Sequence, residues 1–292
     1  MRRRDTVLVG LALSSVGVVA ASCALNAGAI VYVVADSGPS DDAEILSDGA
    51  ILLSDGAVVQ PDGAPITGKC GSDQVDIDAG FCIDKLEVTN REYLAFLIAT
   101  GADGGGTGPC AGDSIYQGPG IETLSHPDFP THGNDWCAAK AYCEWAGKRL
   151  CGSITDGGET DMTDAASGEW YFACSANGTK TFPYGDVNDD DGGGYDASAC
   201  NGNDLGEGGV VTAGSLPACI GGYDGIHDMS GNVWEWDNAC QNDTANNAQC
   251  RIRGGSYMEG NTATLRCDQN GVGTRNQPLV NIGIRCCSDE KK

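Results

Sequence analysis

Histidine is nearly missing from this 292-residue chain, with His126, His132 and His227 the only three. None stands in an HxxxH or HExxH spacing, which excludes a histidine-held zinc centre and leaves loop roles for all three. Basic residues are scarce as well, 17 Lys and Arg against 41 acids, giving a net charge of −24. Residues 1–22 contribute +2 of that (Arg2, Arg3 and Arg4 against Asp5), so the remainder carries −26. A surface of that sign repels phosphate, and nucleic acid is excluded as a partner. There is no G-x-S-x-G elbow for a serine hydrolase. The glycine runs at 104–106 and 192–194 sit among acids with no following Lys-Ser/Thr, so neither cradles a phosphate.

Cysteine, by contrast, is abundant. Fifteen thiols with no CxxC pair point away from zinc and toward an oxidising compartment. Setting Cys23 aside leaves fourteen, an even number compatible with seven disulfides.

Met1 to Ser22 has a basic start and an apolar run from Val7 to Ala21 ending in small residues, the pattern of an export signal. Ala21-Ser-Cys23 resembles the lipobox of bacterial lipoproteins, which implies acylation of Cys23. An uncleaved membrane anchor is the rival, since apolar residues resume over 29–35, interrupted by Asn26 and Gly28. Either way the globular part is expected outside the inner membrane: an outer-membrane or periplasmic lipoprotein of the cell envelope, or secreted. Residues 23–69 read as an acidic, disordered tether, with seven acids and no Lys or Arg between Asp36 and Gly68. Asp-Gly-Ala recurs there at 48, 55 and 62, a seven-residue period read as low-complexity spacer.

Residues 70–292 form the folded part. Phe81–Asp84 and Leu86–Val88 read as a short strand pair. Thr89 and Glu92 form a capping box for a helix that places Tyr93, Phe96 and Leu97 on one face. Asn134 or Asp135 caps a second helix through Trp136, Ala139, Cys143 and Ala146, ended by Gly147. Residues 152–224 are loop-dominated. Within them the segment from Asp186 departs from an EF-hand loop, with Asp191 at the sixth position and Ala197 at the twelfth. Gly225 to Trp236 draws most attention, because Glu235 stands between Trp234 and Trp236 and an acid beside such apolar bulk needs a cation or donors. Asp228, Gly231, Val233 and Glu235 are spaced so that two carboxylates and two carbonyls can turn to one Ca²⁺, the alternative being a buried turn with Glu235 on backbone N–H groups.

Several segments, in order, resemble the formylglycine-generating enzyme or sulfatase-modifying factor family: Asp84-Lys-Leu-Glu87-Val-Thr-Asn90-Arg-Glu-Tyr93, the run Trp136 to Leu150, Glu169-Trp170-Tyr-Phe-Ala-Cys174, Phe182-Pro-Tyr-Gly185, Asp228 to Trp236, Arg253-Gly-Gly-Ser256-Tyr and Ile282-Gly-Ile-Arg285-Cys286. The resemblance implies one α+β domain, a loop-rich variant of the C-type lectin fold, stabilised by disulfides. It implies a structural Ca²⁺ held by Asp228, Gly231, Val233 and Glu235, a second site beginning at Asn201 and Gly202, and the disulfides Cys143–Cys286 and Cys174–Cys267. Active members bind Cu(I) through two cysteines and use O₂ to convert a sulfatase cysteine to formylglycine. Here Glu259 and Thr264 occupy those two positions, and neither offers the soft thiolate that Cu(I) needs. A copper oxidase is therefore not expected, and Ser256, Trp234 and Arg253 are left to line a remnant groove as peptide-binding residues or, the favoured reading, to support the core. The expected role is a non-catalytic binding or structural module that meets a protein, peptide or glycan at the cell surface. A formylglycine-generating oxidase with an atypical centre is the alternative.

Overall fold

The computed structural model describes residues 69–100, 108–110, 125–185, 196–241, 245–260 and 263–290, together with the pairs 44–45, 51–52 and 58–59. The export signal, Cys23 and residues 186–195 lie outside the described residues. The segment read as an unstructured spacer contains three strands, β1 (Glu44–Ile45), β2 (Ile51–Leu52) and β3 (Val58–Val59), in one antiparallel sheet. Ile45 pairs with Ile51, and Ile51 with Val59. The seven-residue period is thus the period of the strands, a correction to the spacer reading.

In the folded part, β4 (Gln74–Ile77) and β5 (Phe81–Asp84) precede α1 (Asn90–Thr100), α2 (Trp136–Trp145), β6 (Arg149–Leu150) and α3 (Glu169–Ser175). There follow β7 (Trp234–Cys240), β8 (Gln249–Arg253), β9 (Gly271–Thr274), β10 (Ile282–Gly283) and β11 (Cys286–Asp289). Two four-stranded sheets result, ordered β4-β5-β11-β6 and β10-β7-β8-β9. The second is mixed, because β10 runs parallel to β7. No helix among the described residues is long and apolar enough to cross a membrane. The domain is α+β, rich in loops and held by disulfides.

Local chemistry explains the helix starts. Glu92 Oε2 accepts from Thr89 N at 2.7 Å and Thr89 Oγ1 at 2.6 Å, and the buried face of α1 is Tyr93 and Phe96. Asp135 Oδ1 accepts from Ala138 N at 2.8 Å to cap α2, and Gly147 leaves the helix at φ +70°. Tyr142 and Trp145 of α2 meet Phe96 ring to ring. Leu86–Val88 is not a strand: Val88 N donates to Ile284 O and its carbonyl accepts from Thr131 N, so its backbone pairs with two different segments.

Two cores lie either side of β11. One gathers Tyr93, Phe96, Trp136, Trp234, Trp236 and Ile282, and the other Ile77, Phe81, Ile83, Trp170, Ile226 and Met229. Strand β9 rests on the indoles, since a Cβ at Gly271 would come within 2.9 Å of the Trp234 ring and one at Gly273 would run into Trp236.

Candidate functional site

The turn that leads into β7 uses four residues in the left-handed region, Gly225, Asp228, Gly231 and Asn232, so its backbone coils tightly before the strand begins. That coil buries Asp228, Asn232 and Glu235 together. Arg285, in the link between β10 and β11, meets Glu235 with Nε 3.0 Å from Oε1 and 2.9 Å from Oε2, and Nη2 2.8 Å from Oε1. Trp170 Nε1 donates to Oε2 at 2.5 Å. The remaining Arg285 donors reach the carbonyls of Asp84 and His227. Glu87 closes the cluster, accepting from Asn232 Nδ2 at 2.6 Å and Val233 N at 3.2 Å.

Three buried carboxylates, Glu87, Asp228 and Glu235, therefore surround one guanidinium. Burial, reinforced by Asp228 and Glu235, holds the Glu87 carboxyl well above the usual range. Burial also pushes Asp228 up to about 6. Burial works against the Arg285 charge, but Glu235, Glu87 and Asp228 more than offset it, and its pKa rises.

The residues fit a Ca²⁺ only in part. Asp228 Oδ1 and Asn201 Oδ1 are buried oxygens without a hydrogen-bond partner, as an oxygen-binding cation would want. Glu235 is not: both its oxygens already take N–H groups from Arg285 and Trp170. Among the described residues Glu235 forms a buried ion pair with Arg285 and a hydrogen bond with Trp170, in place of the backbone N–H groups expected as the alternative to Ca²⁺. Gly231 and Asn201 do come together, since a Cβ on Gly231 would lie 2.5 Å from Asn201 O. Asn201 Nδ2 also bonds Asn232 Oδ1, with Gly202 following in the same segment. Cys151, Glu169 and Cys287 form another cluster with metal-ligating types, but the two sulfurs are bonded to each other.

Downstream, the remnant-groove residues separate. Ser256 is fully buried, and its Oγ donates to Glu259 Oε2 at 2.5 Å while Ser256 N donates to the same oxygen at 2.8 Å. Glu259 N returns to Ser256 O at 3.1 Å, so the carboxylate closes a Ser-x-x-Glu box on its own turn. Asn281 Nδ2 donates to Ser256 Oγ at 3.1 Å, and Trp234 N to Asn281 O at 2.8 Å. Met258, Leu279 and Val280, beside these residues in the chain, are exposed. Arg253 takes the core-supporting role of the two expected for it. It is fully buried, shares Asp237 with Arg251, lies 5.9 Å from the Trp170 ring centre, and burial lowers it to about 10.

The fourteen cysteines from Cys70 onward form seven disulfides: Cys70–Cys82, Cys110–Cys137, Cys143–Cys286, Cys151–Cys287, Cys174–Cys267, Cys200–Cys219 and Cys240–Cys250. The sequence reading passed over Arg285, Asn232, Trp170 and Asp237 as site residues. The signal for the first was present: a buried Glu needs a cation, and Arg285 is one of few.

Comparison with known proteins places this geometry in context. Bovine formylglycine-generating enzyme is 27% identical over 275 residues, covering 76% of this chain and 69% of that protein. The mouse formylglycine-generating enzyme is 28% identical over 192 residues, and the match spans only 48% of its length. A bovine protein named inactive C-alpha-formylglycine-generating enzyme 2 is 28% identical over 182 residues, 59% of this chain and 54% of that one. Among solved structures, PvdO from Pseudomonas aeruginosa is similar with a TM-score of 0.48 and 23% identity, covering 72% of this chain and 80% of that chain. The family described as sulfatase-modifying factor enzyme 1-like domain matches residues 38–290. A match running through both sheets and the buried Glu235 turn decides the matter, and the chain belongs to that family.

Proposed function

We propose that this chain is an exported, non-catalytic member of its family, a binding module whose exposed Met258, Leu279 and Val280, carried beside the buried Ser256 and Trp234, receive a protein or peptide segment at the cell envelope, with Cys23 as the site of lipid anchoring. One observation carries the reading: every cysteine among the described residues is spent in a disulfide, and the side chains at 259 and 264 are Glu and Thr. Cu(I) chemistry on a thiolate pair has no ligands here. The Glu259 carboxylate is turned inward to hold Ser256, which makes the turn a rigid platform with no free ligand on it. Exposed Met258, Leu279 and Val280 supply apolar contact beside it. The relative named as inactive supports the reading by showing that such names occur within the matching proteins.

The test is a titration of the disulfide-intact protein with Cu(I) under anaerobic conditions, followed by incubation with a sulfatase-motif peptide and O₂. No stoichiometric copper binding and no aldehyde product are expected. Tight binding or peptide oxidation would restore the alternative of an oxidase with an atypical centre. Intact mass of membrane-extracted protein should begin at Cys23 with acyl additions, and a start elsewhere removes the anchor.

A further inference from the structure

We propose that a cavity of about 420 Å³ between α1, α2 and the Asp84–Thr89 segment binds an organic ammonium ion, of the diamine or lysine side-chain class. It lies apart from the Ser256 surface and does not depend on the function proposed for that surface. Its volume falls within the range of small-molecule sites.

The lining carries four acids, Asp73, Asp84, Glu87 and Glu92, against Lys85 and Lys148. Both lysines are already engaged: Lys148 pairs with Asp73 and Asp84, and Lys85 Nζ donates to Ser72 O at 2.6 Å. Asp73 and Asp84 share Lys148 and Glu87 is held by Asn232 and Val233, so the wall keeps a formal excess of acids over lysines with Glu92 the acid not paired to a cation on it. Two polar groups on it also have no partner among the described residues. Tyr142 is 5% exposed and its hydroxyl makes no hydrogen bond, and His227 Nδ1 is buried without one. Burial holds the Tyr142 phenol well above its ordinary range, and Glu92, Asp84 and Asp73 add to the rise.

A bare metal ion does not suit this lining. Among the described residues, only Cys151, Glu169 and Cys287 bring three ligating atoms within 4.8 Å of one another, and none of them lines the cavity. Acids spread around a wall match a cation that is itself spread out, with N–H donors for the carboxylates and Tyr142 and methylenes for Leu86 and Val88.

Isothermal titration of the full-length chain with cadaverine and with spermidine tests this, with succinate as the anionic control. One saturable event per chain is expected, weakened about tenfold or more by Glu92→Gln and by Tyr142→Phe. The first substitution keeps an acceptor for the Thr89 cap, and the second keeps the ring in its aromatic cluster. Glu207→Gln, at an exposed residue elsewhere, should leave affinity unchanged. Should Tyr142→Phe fail to fold by circular dichroism, Glu92→Gln and Asp73→Asn carry the comparison. Absence of binding at about 10 mM amine, equal affinity in all variants, or displacement of the amine by stoichiometric Ca²⁺ would each overturn the proposal.

Discussion

Glu235 is held by two side chains from different parts of the fold, Arg285 and Trp170, and its removal would leave a guanidinium buried with the wrong neighbours. Breaking such a pair from one side costs about 3–5 kcal/mol. Glu235→Gln should lose that much in urea unfolding, and equally with or without EDTA. A loss that appears only when Ca²⁺ is present would return Glu235 to a metal. Asp84 gives the residue-scale pH prediction. Burial pushes it up to about 6, with Lys148 opposing and Asp73 adding to the rise. A carboxyl raised on folding binds its proton more tightly in the folded state, so its contribution is full below about pH 4 and is lost as pH rises through about 6. The shift of about two units corresponds to about 3 kcal/mol. Thermal unfolding should therefore show stability falling between pH 4 and 6.5, and Asp84→Asn should remove its share of that fall, leaving the part that Asp228 contributes.

Among the elements, β9 shows how a strand can be chosen for what it omits. Gly271 and Gly273 let its backbone lie against Trp234 and Trp236, where any Cβ would displace an indole. Overpacking of this kind costs about 1–3 kcal/mol or more. Gly273→Ala should lower the unfolding free energy in urea by that amount and shift tryptophan emission, while Val272→Ala, at an exposed neighbour on the same strand, should do neither. The helices were the elements most open to reading from sequence, because Thr89 with Glu92 and Asp135 with Ala138 are contacts within four residues. Leu86–Val88 was not open to it. Its β-favouring residues are overridden by Glu87, which reaches across the chain to Asn232 and Val233. The seven-residue period between Asp48 and Ala64 was visible, yet only register shows that a paired two-residue strand precedes each Asp-Gly-Ala copy.

For the molecule as a whole, cysteine parity was legible, but the partners of ten thiols were not, since pairing depends on which segments the fold brings together. The same limit hid the Arg285–Glu235 pair, fifty residues apart, and the partner that Arg253 finds in buried Asp237. Cys143–Cys286 and Cys151–Cys287 close loops of 143 and 136 residues. By loop entropy each is worth about 5 kcal/mol. The double replacement Cys143→Ala with Cys286→Ala should cost a comparable amount in urea unfolding, and more than Cys70→Ala with Cys82→Ala, whose loop spans 12.

Adjacent residues of a strand face opposite ways, and β11 uses this with Cys286 in one core and Cys287 in the other. Both partners, Cys143 and Cys151, leave the ribosome more than 130 residues earlier. Neither of these two bridges can close until β11 has been made, whereas Cys110–Cys137 in the first core and Cys174–Cys267 in the second need only earlier segments. The thiols of Cys143 and Cys151 must therefore be kept from wrong partners until the last strand arrives.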